Sequence, residues 1–321
     1  MAEAKQRDVQ TNGITMHIIE QGQGPLVILC HGFPELGYSW RHQLPALAEA
    51  GFHAVAPDQR GYGRTDQPEN IEAYNIFHLV GDIVGLVHAL GEERAIIAGH
   101  DWGAPIAWNS ALLRPDIFRA LALLSVPYRS GVWSTRPPTE GMKLRAGDKE
   151  FYQLYFQEPG KAERELQANV RQTMLMFLYT LSGDPPPEKR WRFFFEKSER
   201  FIDTGTVPDS MPAWLTDQDL DFFASEFERT GFRGGLNWYR NIDRNWELNS
   251  FLNGAKISQP TLFAAGELDG VIAMSGPGYE KLEESIPNLK KKVLIPGAGH
   301  WIQQERPDEI NRLLVEFITS L

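Results

Sequence analysis

The 321-residue chain has a single cysteine, Cys30, so no intrachain disulfide, iron–sulfur cluster or multi-cysteine zinc site can be built, and packing must hold the fold. It has no apolar run approaching the roughly 18 residues that a membrane-spanning helix needs. Basic charge is also in deficit. There are 32 Lys and Arg against 42 Asp and Glu, a net charge of −10, and no basic cluster long enough to track a phosphate backbone, which excludes nucleic acid as an expected partner. Met1–Asp8 is charged and lacks the apolar stretch of a secretory leader, and Ile318–Leu321 is not a peroxisomal tail, so the expected location is the cytoplasm. What is present is an ordinary globular balance, 42% hydrophobic, in a length that suits two domains or one large core carrying an insertion.

Short β-branched apolar runs recur at Leu26–Cys30, His53–Ala56, Ala95–Ala98, Leu121–Leu124, Thr261–Ala264 and Lys292–Ile295. Near-continuous apolarity, as opposed to strict alternation, is the pattern of strands buried on both faces, which favours a mostly parallel sheet flanked by helices. Helical spacing of three and four separates the runs, as at Phe77, Val80, Val84 and Val87 and again at Leu313, Leu314 and Phe317. The rhythm breaks between about Tyr128 and Asn245, where Phe151–Gln157, Val170–Leu181, Trp191–Phe201 and Asp217–Glu228 read as helical. Because strands resume at Thr261, this block is an insertion within one sheet. The expected architecture is an α/β core over residues 1–128 and 246–321 with a helical cap over residues 129–245.

Gly99-His100-Asp101-Trp102-Gly103 follows an apolar strand and precedes the helical run from Ala104 to Leu113. It has the form G-x-nucleophile-x-G, in which two glycines let a strand turn sharply into a helix with the middle side chain held out, here Asp in place of Ser. Asp is also a favoured helix N-cap, so a capping reading stands beside the nucleophilic one. Asp269 and His300 each lie just beyond a strand, at the sheet edge where α/β sites form. The order nucleophile, acid, histidine is that of an α/β-hydrolase triad.

These motifs, together with His31-Gly32-Phe33-Pro34-Glu35 and the segments Phe151–Phe156 and Leu236–Asn241, resemble the epoxide hydrolases of the α/β-hydrolase fold, over about residues 8–321. The resemblance implies that Asp101 attacks the epoxide to give an alkyl-enzyme ester. It also implies that Tyr152 and Tyr239 act as proton donors to the ring oxygen, with Tyr155 a rival to Tyr152. His300, oriented by Asp269, would activate the hydrolytic water, and the backbone N–H groups of Phe33 and Trp102 would hold the oxyanion. Glu35 is a candidate to hold that water, beside a reading as a loop ion-pair partner, and Pro34 suggests a cis turn. Phe156, Trp238 and Met176, with Phe33 and Trp102, are candidates to line an apolar pocket, against a plain core reading.

The residue chemistry suits that reaction. A carboxylate is ionised at neutral pH and attacks unaided, leaving an ester that water can cleave, whereas phenols stay protonated and can donate to a departing alkoxide. Gly61-Tyr62-Gly63 lacks a dinucleotide fingerprint, no phosphate-binding loop occurs, and the histidines lack paired ligand spacing, so no cofactor or metal is expected. The expected partners are a small epoxide and water. Monomer and dimer both stay open. A haloalkane or haloacid dehalogenase shares the Asp nucleophile but has no use for two phenols. A non-catalytic small-molecule receptor on the same fold has no use for the full set.

Overall fold

The computed structural model describes residues 3–130 and 135–321. Six strands come first: β1 (Lys5–Thr11), β2 (Ile14–Gln21), β3 (Leu26–Cys30), β4 (His53–Pro57), β5 (Ala95–His100) and β6 (Phe118–Leu124). Between them lie α1 (Gln43–Glu49), α2 (Ile76–Ala89) and α3 (Gly103–Leu113). The chain then leaves the sheet for a helical segment and returns as β9 (Thr261–Gly266) and β10 (Leu289–Ile295). The sheet order is β1-β2-β4-β3-β5-β6-β9-β10, parallel from β4 onward, with β1 and β2 antiparallel at one edge. This is a mostly parallel, doubly covered α/β sheet.

The near-continuous apolarity of the central strands follows from that double cover. Every residue of β3, β5 and β9 is buried, and alternation decides which layer each side chain meets. Val27, Leu29, Ile96 and Ala98 pack with Leu44, Leu47, Leu313 and Phe317 of α1 and the closing helix Pro307–Thr319. Ile28, Cys30 and Ile97 face the opposite side, with Val80 and Ile83 of α2 and Ala104 and Ala107 of α3. β1 escapes an apolar-run reading because five of its seven residues, Lys5 to Asp8 and Gln10, are exposed at the sheet edge.

The excursion between β6 and β9 is mainly helical. It contains Pro138–Ala146, Tyr152–Tyr155, α4 (Val170–Thr180), α5 (Asp217–Thr230) and α6 (Arg233–Arg240); its residues 131–134 lie outside the described ones. Two readings there need correction. Phe151–Gln157 is helical only over Tyr152–Tyr155, because Glu150–Phe151 (β7) pairs with Phe194–Phe195 (β8) in a small antiparallel ribbon. Trp191–Phe201 forms no α-helix. Its backbone is spent on other segments, with Trp191 N–H donating to Thr180 O and Arg192 N–H to Thr204 O. Its aromatics fan out in different directions, Phe194 stacking on Phe151 while Phe195 meets Tyr155. Among the described residues no helix is long and apolar enough to cross a membrane.

Candidate active site

The turn at Asp101 is made by close backbone contacts. Asp101 adopts φ +50°, the left-handed region that a non-glycine residue enters only when its surroundings compel it. A Cβ on Gly99 would lie 2.0 Å from Gly103 O, and one on Gly103 would lie 2.1 Å from Cys30 O. Only glycine fits at either position, so β5 can turn into α3 within two residues and leave Asp101 projecting at the sheet's carboxyl edge. The Asp101 side chain does not cap α3. The N-cap position falls on Trp102, with no side-chain cap bond, and Asp101 Oδ1 instead accepts from the Phe33 N–H at 2.9 Å. The Phe33–Pro34 peptide bond is cis.

His300 bridges two carboxylates. Its Nε2 lies 3.4 Å from Asp101 Oδ2 and its Nδ1 lies 3.0 Å from Asp269 Oδ2. Asp269 is also a turn residue, since its other oxygen accepts from the Val271 N–H and caps the short helix Gly270–Ser275. Burial alone would raise the Asp101 pKa, but the hydrogen bond and charge of His300 outweigh it and hold the carboxyl below its usual range. Burial works against a charged His300 too, yet the carboxylates of Asp269 and Asp101 hold it well above its usual value. Both shifts favour the charged pair, carboxylate against imidazolium.

Facing Asp101 from the helical segment, Tyr152 and Tyr239 line the same small cavity, with ring centroids 6.1 Å apart. Tyr152 Oη accepts from Gln153 Nε2 at 2.7 Å. Both phenols are buried, which pushes their pKa up and keeps the proton on. The rival Tyr155 points elsewhere, donating to Glu165 with Lys161 over its ring. Phe33, Phe156, Phe177, Leu181, Trp191 and Val271 complete the wall.

A family model described as the alpha/beta hydrolase fold matches residues 25–307. Epoxide hydrolase A of Mycobacterium tuberculosis is 48% identical, covering 100% of this chain and 99% of its own. Epoxide hydrolase 1 of Siraitia grosvenorii is 42% identical, with 99% of each chain covered. An epoxide hydrolase structure from an endophytic Streptomyces superposes with a TM-score of 0.95 at 48% identity, covering 99% of this chain and 96% of that one. The chain belongs to the epoxide hydrolase family of α/β hydrolases.

Three candidate pocket residues of this epoxide hydrolase family member lie away from the cavity, and the first of them, Trp102, lines a different one with Trp108 and Ile242. Trp238 is fully buried behind Trp102, its indole N–H donating to Arg60 O at 3.1 Å. Met176 faces the outer side of α4, lining a separate cavity with Thr173 and Gly205. Both sit on helices whose apolar spacing is satisfied by core packing. Glu35 does not line the cavity either. Its Oε2 accepts from the Gly32 N–H at 2.8 Å and lies 2.6 Å from His100 Nδ1, and Oε1 accepts from Gln303 Nε2 at 2.7 Å. The His100 charge and hydrogen bond override burial and hold Glu35 below its usual range.

Several supporting residues carry no motif that sequence reasoning could have read. The His300 carbonyl accepts from His100 Nε2 at 2.7 Å and from Ser125 Oγ at 2.9 Å, while its N–H donates to Leu181 O at 2.8 Å. Glu305 accepts the N–H groups of Gly183, Gly299 and Trp301. It thereby ties the helical segment to the histidine loop. The one available signal was His100 itself, the residue before the nucleophile.

Proposed function

We propose that the chain hydrolyses epoxides to vicinal diols through an ester on Asp101. The observation that carries this reading is one cavity in which an ionised carboxylate faces two protonated phenols, with His300 and Asp269 behind it. Asp101 Oδ1 is held by the Phe33 amide, which leaves Oδ2 to attack the epoxide carbon in line with the breaking C–O bond. Tyr152 and Tyr239 bind the ring oxygen and give it a proton as it departs.

Electrostatics link the two half-reactions. The Asp101 charge stands, after burial, among the causes that raise both phenols, and it is one of the two carboxylates that hold His300 protonated. Esterification removes that charge. The phenols become stronger acids as the alkoxide forms, and His300 loses one of its two counter-charges, so its proton passes through solvent to the tyrosinate that ring opening leaves, and the neutral ring can then take a proton from water. Asp269 stabilises the imidazolium formed in that step, and the Phe33 and Trp102 amides hold the tetrahedral oxyanion. Residues 129–245, read as a cap, supply the phenols and most of the apolar wall, with Phe33 and Val271 from outside it.

A single turnover in oxygen-18 water tests the scheme. The first diol takes its oxygen from Asp101, so the label is expected in the protein carboxylate and absent from the product. Label in the first diol means direct attack by water and ends the ester mechanism. Halide release from haloalkanes with epoxides untouched would instead support the dehalogenase reading, in which the two phenols have no task.

A further inference from the structure

The catalytic cavity is narrow. Its volume is about 20 Å³, room for about one water, so no epoxide carrying a substituent enters until a wall residue moves. Beside it lies a second cavity of about 230 Å³, between the strip Arg190–Phe193 and the loop Glu267–Ala273. Leu181 and Trp191 line both spaces. A third cavity of about 380 Å³ lies on the Trp102 side and shares no lining residue with the catalytic one among the described residues. The partition that can open is therefore the one made by Leu181 and Trp191.

We propose that Trp191 is the gate between the catalytic cavity and this outer cleft, and that the cleft holds the non-reacting substituent of the epoxide. The proposal rests on the epoxide reading above and adds the route and the size limit. Both are anchored by their main chains, the Leu181 carbonyl accepting the His300 N–H and the Trp191 N–H donating to the Thr180 carbonyl. Trp191 is the larger side chain of the partition. Its indole is only partly buried and has one side-chain hydrogen bond, Nε1 to Thr204 Oγ1 at 2.7 Å. Its remaining neighbours are ring edges and faces, among them Tyr152 and Phe193, each at 4.7 Å between centroids. A χ rotation of the indole away from Tyr152 would join the two cavities, and the volume it leaves becomes the passage between them.

Joined, the two spaces stay below the roughly 300 Å³ at which drug-sized ligand pockets begin. That room suits an epoxide with one ring or a short chain, laid against Leu181, Phe193, Leu268 and Ala273. Because Trp191 also backs the Tyr152 ring, removing the indole is expected to slow ring opening as well as widen the passage.

The test compares kcat/KM for methyloxirane and for 2-naphthyloxirane. Trp191→Ala is expected to lower the rate on methyloxirane but raise the naphthyl-to-methyl ratio at least tenfold, with Trp191→Phe between it and the parent. Leu112→Ala, which enlarges the third cavity, is expected to leave the ratio within twofold. An unchanged ratio in Trp191→Ala, or an equal rise in Leu112→Ala, overturns the gate. If Trp191→Ala fails to fold, Thr204→Val decides. It keeps the ring and removes the bond that holds it, so the ratio should rise, and an unchanged ratio sinks the proposal. Failure of the parent enzyme on both epoxides counts against the epoxide reading itself, a result separate from any change in ratio.

Discussion

Gly32 and Asp101 lie so close that a Cβ on the glycine would sit 2.3 Å from the Asp101 Cβ and 2.4 Å from its Oδ1. Gly32→Ala must therefore push the carboxylate away from the Phe33 amide and from the line of attack. Misplacement on the scale of 1 Å can cost about 100-fold in rate. The expected outcome is a loss of that order in the alkylation step, read by rapid quench, while urea unfolding still shows a folded protein.

His300 should report the charge of Asp101 directly. The two carboxylates hold the imidazole well above its ordinary value against the effect of burial, and Asp101→Asn removes one of them. The His300 titration followed by NMR should shift to lower pH in Asp101→Asn and also in Asp269→Asn. Ester hydrolysis needs the neutral ring, so in the parent enzyme its rate should rise with pH and then level off. An unmoved His300 titration in Asp101→Asn would contradict the ion pair.

The phenols separate by what each touches. Tyr152→Phe and Tyr239→Phe should each slow ring opening by about 100-fold or more, by analogy with the loss of one oxyanion donor. Tyr155→Phe removes only a hydrogen bond to Glu165. Its expected cost is about 1 kcal/mol of stability with little change in kcat. Single-turnover rates together with denaturant midpoints distinguish the two patterns.

Glu305 gives a pH dependence of stability. Burial, against three backbone N–H bonds, raises its pKa from 4.5 to about 7. Below about pH 4.5 both folded and unfolded chains carry the proton, and as pH rises to 7 the unfolded chain ionises first. The contribution of Glu305 is therefore full at low pH and falls by about 3 kcal/mol across that window. Glu305→Gln does not titrate there. Its stability deficit relative to the parent should shrink by that amount between pH 4.5 and 7, and a constant deficit would refute the shift.

What the sequence made legible was set by local sterics and strand ends. The glycines around Asp101 are demanded by contacts of 2.0 and 2.1 Å, and Asp269 and His300 follow β9 and β10 directly. The aromatic strip from Trp191 to Phe195 was not legible. Consecutive bulky residues carry no period, and its partners, Thr180, Phe151 and Tyr155, are fixed only by the tertiary fold. Ser125 and Glu305 escaped for the same reason. The bonds of His100 and Ser125 to the His300 carbonyl join residues 200 and 175 positions apart.

β6 and β9 are direct neighbours, Leu121 paired with Thr261 and Leu124 with Ala264. The chain thus departs from one strand and rejoins on the strand beside it, so the register across this seam does not depend on how much chain lies between. Asp101, Asp269 and His300 are anchored on the sheet side of the seam, while Tyr152, Tyr239 and Trp191 lie within the excursion. Selection can lengthen, shorten or reshape that excursion, and with it the range of molecules admitted, without redrawing the frame that holds the nucleophile and its base.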